Sequence, residues 1–238
     1  MLSLDKQNAY RQRYKRLHPA WRTSGEVYES LVRQYVSPEA RVLDLGCGRG
    51  GVVELFHDKV ALAAGLDADM ASLREHRALT RLVVGLAGAL PFAEATFDLI
   101  TCSWVLEHLQ RPEAAFAQIV RVLRPGGHFV FLTPNAHNSL TLANRILRGK
   151  WQGKLVERLY GRVEADTFPV VYRANTLQRL ESLASTVGLA RVTLYTVGDP
   201  TYIAFNDALF ALGALLERLT PPTWKVHLVG DYARGLGG

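Results

Sequence analysis

The sequence has few cysteines and no long apolar run. Its 238 residues include only Cys47 and Cys102 as cysteines, too few for a disulfide framework and without the clustered spacing of a metal site. The longest apolar stretch, Leu209 to Leu216, is too short to span a bilayer. The start of the chain is polar and basic, unlike a signal segment. These absences predict a cytoplasmic protein with no transmembrane segment and no metal site.

The composition is that of a globular domain with unevenly distributed charge. Hydrophobic residues make up 48% of the chain and the net charge is +6, so we expect one α/β domain, residues 1–238, with a substantial core. Residues 1–22 and residues 144–162 each carry a net charge of +5. Two interpretations stay open: solvated helix faces, or attraction to an anionic substrate, a lipid surface or RNA.

A glycine-rich turn follows the first apolar strand. Val42–Leu45 predicts that strand, and a helix is predicted from Val52 to His57. Gly46, Gly48 and Gly51 lie between them and match the G-x-G-x-x-G spacing of nucleotide-type cofactor sites. Glycine lets the backbone turn sharply and approach a ligand where a Cβ atom would collide. Because such spacings also arise by chance, the match alone is weak.

Two carboxylates near this turn narrow the choice of ligand. Asp67 lies 21 residues after Gly46, at the end of the next apolar run, where a carboxylate can accept hydrogen bonds from both hydroxyls of a ribose. Asp44 stands two residues before Gly46. An acid at that place would repel a pyrophosphate and attract a cationic amino acid. The pair favours a ligand with a ribose and an amino-acid tail.

Six motifs in order resemble class I S-adenosylmethionine (SAM)-dependent methyltransferases, most closely the type 11 subgroup related to ubiquinone biosynthesis. The resemblance is close over residues 25 to 135 and looser beyond them. The motifs are Val42 to Gly48, Gly65 to Asp67, Ala89 to Phe92 with Thr96 to Ile100, Leu106 to His108, Leu123 to Gly127, and Thr133 to Asn135.

Strands and helices are predicted to alternate along the chain, which is typical of a parallel sheet covered on both faces. The predicted strands are Val42–Leu45, Leu62–Leu66, Leu82–Gly85, Phe97–Cys102, His128–Thr133, Ala190–Val197 and Trp224–Tyr232. The predicted helices are Tyr10–Tyr35, Val52–His57, Met70–Ala78, Pro112–Leu123, Thr176–Val187 and Ala204–Leu219. The resemblance implies a Rossmann-like, doubly wound sheet of seven strands in the order 3-2-1-4-5-7-6, with the last strand antiparallel.

Three segments are additions to this alternating pattern. Residues 1–40 form an N-terminal helical segment, and residues 136–174 are predicted to be an insertion that closes over the site as a lid. Residues 204–219 are predicted to form an extra helix whose apolar stripe faces the core. A lipid-facing or dimer surface is the alternative for that stripe.

The resemblance also implies a set of cofactor-binding residues for SAM and its product, S-adenosylhomocysteine. A helix starting near Gly51 would favour the carboxylate of the amino-acid tail. Leu86 stands where family members commonly have an acid that bonds the adenine amine, so one polar contact is missing. The implied residues are Asp44 at the tail amine, Gly46, Cys47 and Gly48 beneath the tail and ribose, Asp67 at the ribose, Ala68, Leu86 and Ala87 at the adenine, and Ser103 and Trp104 at the sulfonium.

The reaction would be in-line displacement at the methyl carbon, with positioning as a main source of rate. A hydroxyl acceptor would need a base, whereas a carboxylate or thiolate would not. His108, His137 and Asp166 are the candidate bases. For each, a structural role as a backbone partner, loop residue or turn cap stays open, and Glu107 is interpreted as a helix-start charge or loop anchor.

The predicted function is methyl transfer from SAM to a small molecule, lipid-like or anionic. Three alternatives stay open at this point. An RNA methyltransferase would explain the basic segments, although no RNA-binding module is recognised. An NAD-dependent dehydrogenase would use the three glycines, and a non-catalytic SAM-binding protein would explain Leu86 and the absence of an unambiguous base. Peripheral membrane contact also stays open.

Overall fold

A computed structural model describes residues 3–138 and 169–236 of the chain. Its strands are β1 Arg41–Leu45, β2 Leu62–Asp67, β3 Leu82–Val84, β4 Phe97–Ser103, β5 Leu123–Pro134, β6 Leu189–Val197 and β7 His227–Arg234. They form one sheet in the order β3-β2-β1-β4-β5-β7-β6, in which β7 runs antiparallel to β5 and β6. The predicted sheet order and the antiparallel last strand are confirmed.

Helices cover both faces of the sheet, which is why its central strands carry continuous apolar runs. The α-helices are α1 Leu4–Leu17, α2 Ser24–Val32, α3 Met70–Arg74, α4 Pro112–Val122, α5 Leu177–Thr186 and α6 Asp207–Leu219. On one face, α4 and α5 bury Phe116, Ile119 and Leu180. On the other, α2 buries Tyr28 and Val32.

The single helix predicted over Tyr10–Tyr35 is wrong, because α1 ends at Leu17 and α2 begins at Ser24. Pro19 lies in the break, where its ring cannot continue a helix. Thr23 then caps α2: its hydroxyl accepts from the backbone N–H of Glu26 at 3.2 Å, and the Glu26 carboxylate accepts from the backbone N–H of Thr23 at 2.8 Å. This reciprocal capping box starts a new helix.

The helix predicted at Val52–His57 is also wrong. Two short 3-10 turns, Val52–Leu55 and His57–Lys59, occupy this segment and meet at Phe56, whose φ of −154° is not helical. So few aligned peptide units cannot supply the expected helix dipole. Likewise, α3 ends at Arg74 rather than at the predicted Ala78. After it, Nδ1 of His76 accepts hydrogen bonds from the backbone N–H groups of Ala78 and Leu79, which the helix would otherwise satisfy.

The apolar stripe of α6 does not face the core as predicted. Leu212, Leu215 and Leu216 are 44%, 53% and 47% exposed, while Phe210 and Gly213 are buried. The reason is local packing: Phe210 stacks on Tyr10 of α1 at 4.8 Å, and a Cβ atom on Gly213 would lie 2.4 Å from the Pro200 carbonyl oxygen. The helix also begins three residues after the predicted Ala204, capped by the Asn206 side chain.

Two strand boundaries differ from prediction by three residues or more. β5 begins at Leu123 rather than His128, because Leu123 pairs with Phe97 across an irregularity in the β4–β5 ladder. β7 begins at His227 because residues Pro222–Trp224 form a 3-10 turn. Most of the predicted insertion, including Asp166, lies outside the described residues. In the described part of the chain, no helix has the length and apolar character to cross a membrane.

Candidate functional site

The turn after β1 lies at the carboxyl edge of the sheet, where β1 is flanked by β2 and β4. Gly46 donates its N–H to the Leu66 carbonyl at 2.7 Å and has φ +76°. A Cβ atom there would lie 2.0 Å from Cγ2 of Val105. Only glycine satisfies both constraints. The chain therefore turns tightly at Gly46, between β2 and β4. The backbone N–H and C=O groups of the turn lie at the carboxyl edge of the sheet.

Asp67, at the end of β2, holds this turn through its carboxylate. Oδ2 accepts from the Gly48 N–H and Oδ1 accepts from the Asp69 N–H, both at 2.8 Å. The glycine turn and this acid are therefore held together at the sheet edge. Each carboxylate oxygen has two acceptor positions, so both retain a lone pair in a fixed orientation.

Asp44 is buried inside β1, with 4% exposure. Its Oδ1 accepts from the Thr101 hydroxyl at 2.8 Å, and its Oδ2 is 3.6 Å from the Cβ position of Gly51. Burial raises the pKa of Asp44 to about 6; the Thr101 hydrogen bond opposes this shift, and the charges of Asp67 and Glu54 add to it. An ionised carboxylate here needs a cationic partner.

Thr101 was not singled out from the sequence. It pairs directly with Asp44 in the β1–β4 register. A threonine in an apolar strand, placed opposite a buried acid, is the signal that could have found it once the strand order was known.

A crevice of about 400 Å³ opens beside these residues. The glycine turn, the start of α2 and the ends of β4 and β5 form its walls. Tyr28 of α2 lines it, and the buried hydroxyl of this tyrosine lies beside the Thr101 side chain and the Cys102 backbone without a hydrogen bond of ordinary geometry to either. Such a hydroxyl is costly unless a ligand or water bonds it. The contribution of α2 was missed from the sequence. The crevice is lined by Gly25, Tyr28, Glu29, Gly51, Val52, Glu54, Leu55, Arg77, Ser103, Trp104 and Leu132.

Ser103 and Trp104 reach this crevice from the end of β4. Trp104 has φ +59°, a conformation that costs free energy for a large side chain. Its N–H donates to the Leu132 carbonyl at 2.9 Å, and its ring meets His227 edge-on at 5.0 Å. Its side chain is still 43% exposed. The indole is thus held at the mouth of the crevice by its own backbone.

The remaining predicted cofactor residues lie around Asp67. Cys47 is 3% exposed and packs against β2, so burial raises the pKa of its thiol to about 12 and only its backbone faces the turn. Ala68 is exposed directly after Asp67. The Gly85 N–H donates to the Asp67 carbonyl at 2.9 Å, which brings Leu86, 67% exposed, and Ala87 to the same edge.

Neither candidate histidine lines the crevice. His108 Nδ1 is 3.2 Å from the Pro169 carbonyl, and its Nε2 is 4.0 Å from a Glu107 carboxylate oxygen. His137 is exposed, and its backbone N–H donates to the Asn135 side-chain oxygen. Within residues 3–138 and 169–236, no group of three or more His, Cys, Asp or Glu side chains is placed to hold a metal ion.

Glu107 anchors the chain where it returns after the predicted insertion. Its carbonyl accepts from the N–H groups of Val171 and Tyr172 at 2.8 and 3.1 Å. Its buried carboxylate accepts from the Thr133 hydroxyl, whose oxygen in turn accepts from the Asn175 side chain. This agrees with the loop-anchor interpretation.

Comparison with known proteins places this geometry in a family. A model described as a methyltransferase domain matches residues 43–131. A malonyl-[acyl-carrier protein] O-methyltransferase from Methylococcus capsulatus is 33% identical over 204 residues, which cover 79% of this chain and 68% of that protein. The chain belongs to the SAM-dependent methyltransferases. It is an enzyme, and its cofactor is SAM.

Other relatives show how far this likeness extends. A ubiquinone biosynthesis O-methyltransferase from Vibrio cholerae is 34% identical over 103 residues, covering 40% of this methyltransferase and 42% of that protein. A geranyl diphosphate C-methyltransferase from Streptomyces coelicolor, solved with S-adenosylhomocysteine, superposes with a TM-score of 0.60 at 14% identity, over 98% and 86% of the two chains. The first supports the family, and the second shows the fold. The dehydrogenase interpretation is not supported.

Proposed function

We propose that this methyltransferase places the methyl group of SAM on an oxygen of a small anionic, lipid-like acceptor. The observation that carries the cofactor part is the pair of carboxylates around the glycine turn: Asp44 is buried beneath Gly51, and Asp67 is oriented by two backbone N–H groups. A cationic amine and a ribose diol are the partners that these two acids suit.

The residues present fit the cofactor. Asp44 would accept from its ammonium group, and Asp67 would accept from its ribose hydroxyls with the lone pairs that the turn leaves. Tyr28 lines the crevice and places its hydroxyl beside Thr101, the hydrogen-bond donor to Asp44. Bound SAM supplies an electrophilic methyl group whose bonding electrons leave with sulfur. Ser103 and Trp104 would border that methyl group and exclude water from the far side.

An anionic oxygen acceptor is favoured by what surrounds the crevice. No histidine lines the crevice within the described residues. An acceptor that is already ionised is therefore favoured, because its methylation needs no general base. The net charge of +6 attracts anions. Two similar proteins are named O-methyltransferases. A carboxylate acceptor fits these observations best, because its oxygen attacks without prior proton removal.

RNA is a weaker candidate acceptor. Three of the cations in residues 1–22 are already paired with acids of this chain: Arg11 with Asp199, Arg13 with Asp207 and Lys15 with Glu26. Paired cations release fewer counterions on binding a phosphate backbone. The second basic segment, residues 144–162, lies outside the described residues.

The test has two stages. Calorimetry with S-adenosylhomocysteine should show binding to the wild type and weaker binding to Asp67→Asn. The enzyme and SAM labelled in the methyl group are then incubated with a metabolite extract, and the labelled products are treated with hydroxide. We expect volatile labelled methanol, because methyl esters hydrolyse and methyl ethers do not. Label stable to hydroxide would overturn the carboxylate assignment, and no heat of binding would overturn the cofactor site.

A further inference from the structure

A second cavity, of about 630 Å³, lies on the other side of α2. Tyr28 and Glu29 of α2 face the cofactor crevice, whereas Ser30 and Gln34 face this second cavity. The helix therefore separates the two spaces. The far wall comes from the end of β6 and from α6, elements that take no part in the cofactor crevice. A volume of this size is sufficient for a small organic ligand.

Aromatic side chains form one wall of this second cavity. The Trp21 indole donates to the Gly198 carbonyl at 3.0 Å, which fixes its plane against the end of β6. The Tyr14 ring meets Trp21 edge-on at 5.1 Å and is 5% exposed. Tyr195 adds a third ring that is 49% exposed. The three rings give this side of the cavity an apolar, aromatic wall, in which the Trp21 indole is fixed by its hydrogen bond.

The charged groups of this second cavity leave an excess of positive charge. Glu217 and Lys225 form an ion pair in which both side chains are largely buried, so they neutralise each other. Among the described residues, the Arg22 guanidinium bonds a backbone carbonyl, that of Glu26, and no carboxylate. Arg218 has no carboxylate partner in the described part of the chain. Two guanidinium groups beside three aromatic rings therefore remain uncompensated, and they suit an anionic head group on an apolar body.

We propose that this second cavity binds a small anionic amphiphile, with its apolar part on Trp21 and its anionic group at Arg218. This site is distinct from the cofactor crevice, and its occupancy does not depend on methyl transfer. Because α2 lies between the two spaces, a ligand here contacts the same helix that carries Tyr28.

Anilinonaphthalene sulfonate, an anionic aromatic dye, is a suitable probe. Its fluorescence should rise on binding to the wild type and persist with saturating S-adenosylhomocysteine. Octyl phosphate should displace it at lower concentration than octanol does. Arg218→Gln should weaken dye binding about fivefold, because one charge contact is lost. Ser30→Trp, which fills the space from α2, should abolish it.

Arg81→Gln is the matched control. It removes one exposed positive charge beside β3, at the opposite edge of the sheet from β6, and dye binding should stay as in the wild type. Thermal unfolding of each variant checks that it is folded. Absence of binding to the wild type, displacement by S-adenosylhomocysteine, or unchanged binding to Arg218→Gln or folded Ser30→Trp would overturn the proposal. If S-adenosylhomocysteine does not bind at all, the proposed function fails while the variants still test this site.

Discussion

Asp44 shows how one residue can serve a ligand at a cost to the fold. Its carboxyl is buried in a strand with a single hydroxyl donor, from Thr101, at 2.8 Å. An apolar side chain would suit that position in a parallel sheet better. The acid at this position is explained if its carboxylate binds the cationic group of a ligand. The free protein then carries an ionisable group whose charged form the surroundings disfavour.

Replacing Asp44 with asparagine tests this residue directly. Asp44→Asn keeps the shape and an acceptor for Thr101 but removes the charge. We expect S-adenosylhomocysteine to bind at least about tenfold more weakly, because a charge-assisted hydrogen bond to its amine is lost. The melting temperature at neutral pH should not fall. Calorimetry and thermal unfolding check the two parts, and unchanged affinity would contradict the role assigned to Asp44.

The pKa of Asp44 also predicts a pH dependence. Burial raises this pKa from 3.8 to about 6, so the folded protein holds this proton over a range in which the unfolded chain has lost it. The contribution of Asp44 to the free energy of unfolding therefore declines as pH rises from about 4 to about 6.

Ligand affinity should change in the opposite direction. Affinity for S-adenosylhomocysteine should rise as pH increases through about 6, because only the ionised Asp44 attracts the amine. Calorimetric titrations at several pH values should show this rise in the wild type. They should show a flat profile over the same range in Asp44→Asn, and an equal rise in both proteins would assign the effect to another group.

At the scale of elements, the turn after β1 depends on close approach as much as on backbone conformation. Gly46 and Gly188 both have positive φ, +76° and +80°. A Cβ atom at Gly46 would meet Val105 at 2.0 Å, whereas Gly188, after α5, has nothing within 4 Å of its Cβ position. The two positions therefore separate the cost of conformation from the cost of collision.

Alanine substitutions at these two glycines should differ accordingly. Gly188→Ala should lower the free energy of unfolding by about 1 kcal/mol, the cost of a left-handed conformation alone. Gly46→Ala should lower it by about 3 kcal/mol, because Val105 or the backbone must also move. Chemical denaturation measures both. Equal losses would mean that the contact with Val105 relaxes at no cost.

At the scale of the whole molecule, the sheet and the helices α4 and α5 could be predicted, whereas the break between α1 and α2 and the orientation of α6 could not. The order of the strands was implied by the family resemblance, whose motifs include Gly46 and Asp67 at strand ends that the structure brings together. The orientation of α6 depends on contacts with α1, through Phe210 and Tyr10, almost two hundred residues apart. A periodic apolar pattern indicates that a helix has an apolar face, but it does not say which element covers that face.

The candidate site could likewise be predicted from the sequence only in part. The glycine turn and its two acids could be predicted, because Asp44 adjoins the turn in sequence and Asp67 ends the next apolar run. Tyr28 and Thr101 were missed because they reach the site from another helix and another strand. The histidines were chosen for their chemistry and their place near strand ends, and the structure puts neither His108 nor His137 in the crevice wall.

One largely buried ion pair links α1 to the loop between β6 and α6. Arg11 of α1 donates through Nε and Nη2 to Asp199, at 3.1 and 2.7 Å, and the Asp199 side chain is 6% exposed. Asp199 also accepts from the backbone and hydroxyl of Thr201, so it organises the loop between β6 and α6. Arg13, on the same helix, pairs with Asp207, whose side chain is 78% exposed.

Removing each arginine should therefore have unequal effects. Arg11→Gln should lower the free energy of unfolding by about 2 kcal/mol, since a buried carboxylate loses its cation and Arg11 is itself only partly buried. Arg13→Gln should lower it by less than about 1 kcal/mol, because water screens the exposed pair. Hydrogen exchange should also accelerate in α1 and around Thr201 in Arg11→Gln only. Equal destabilisation by the two variants would show that burial of Asp199 does not decide how α1 is held to the loop before α6.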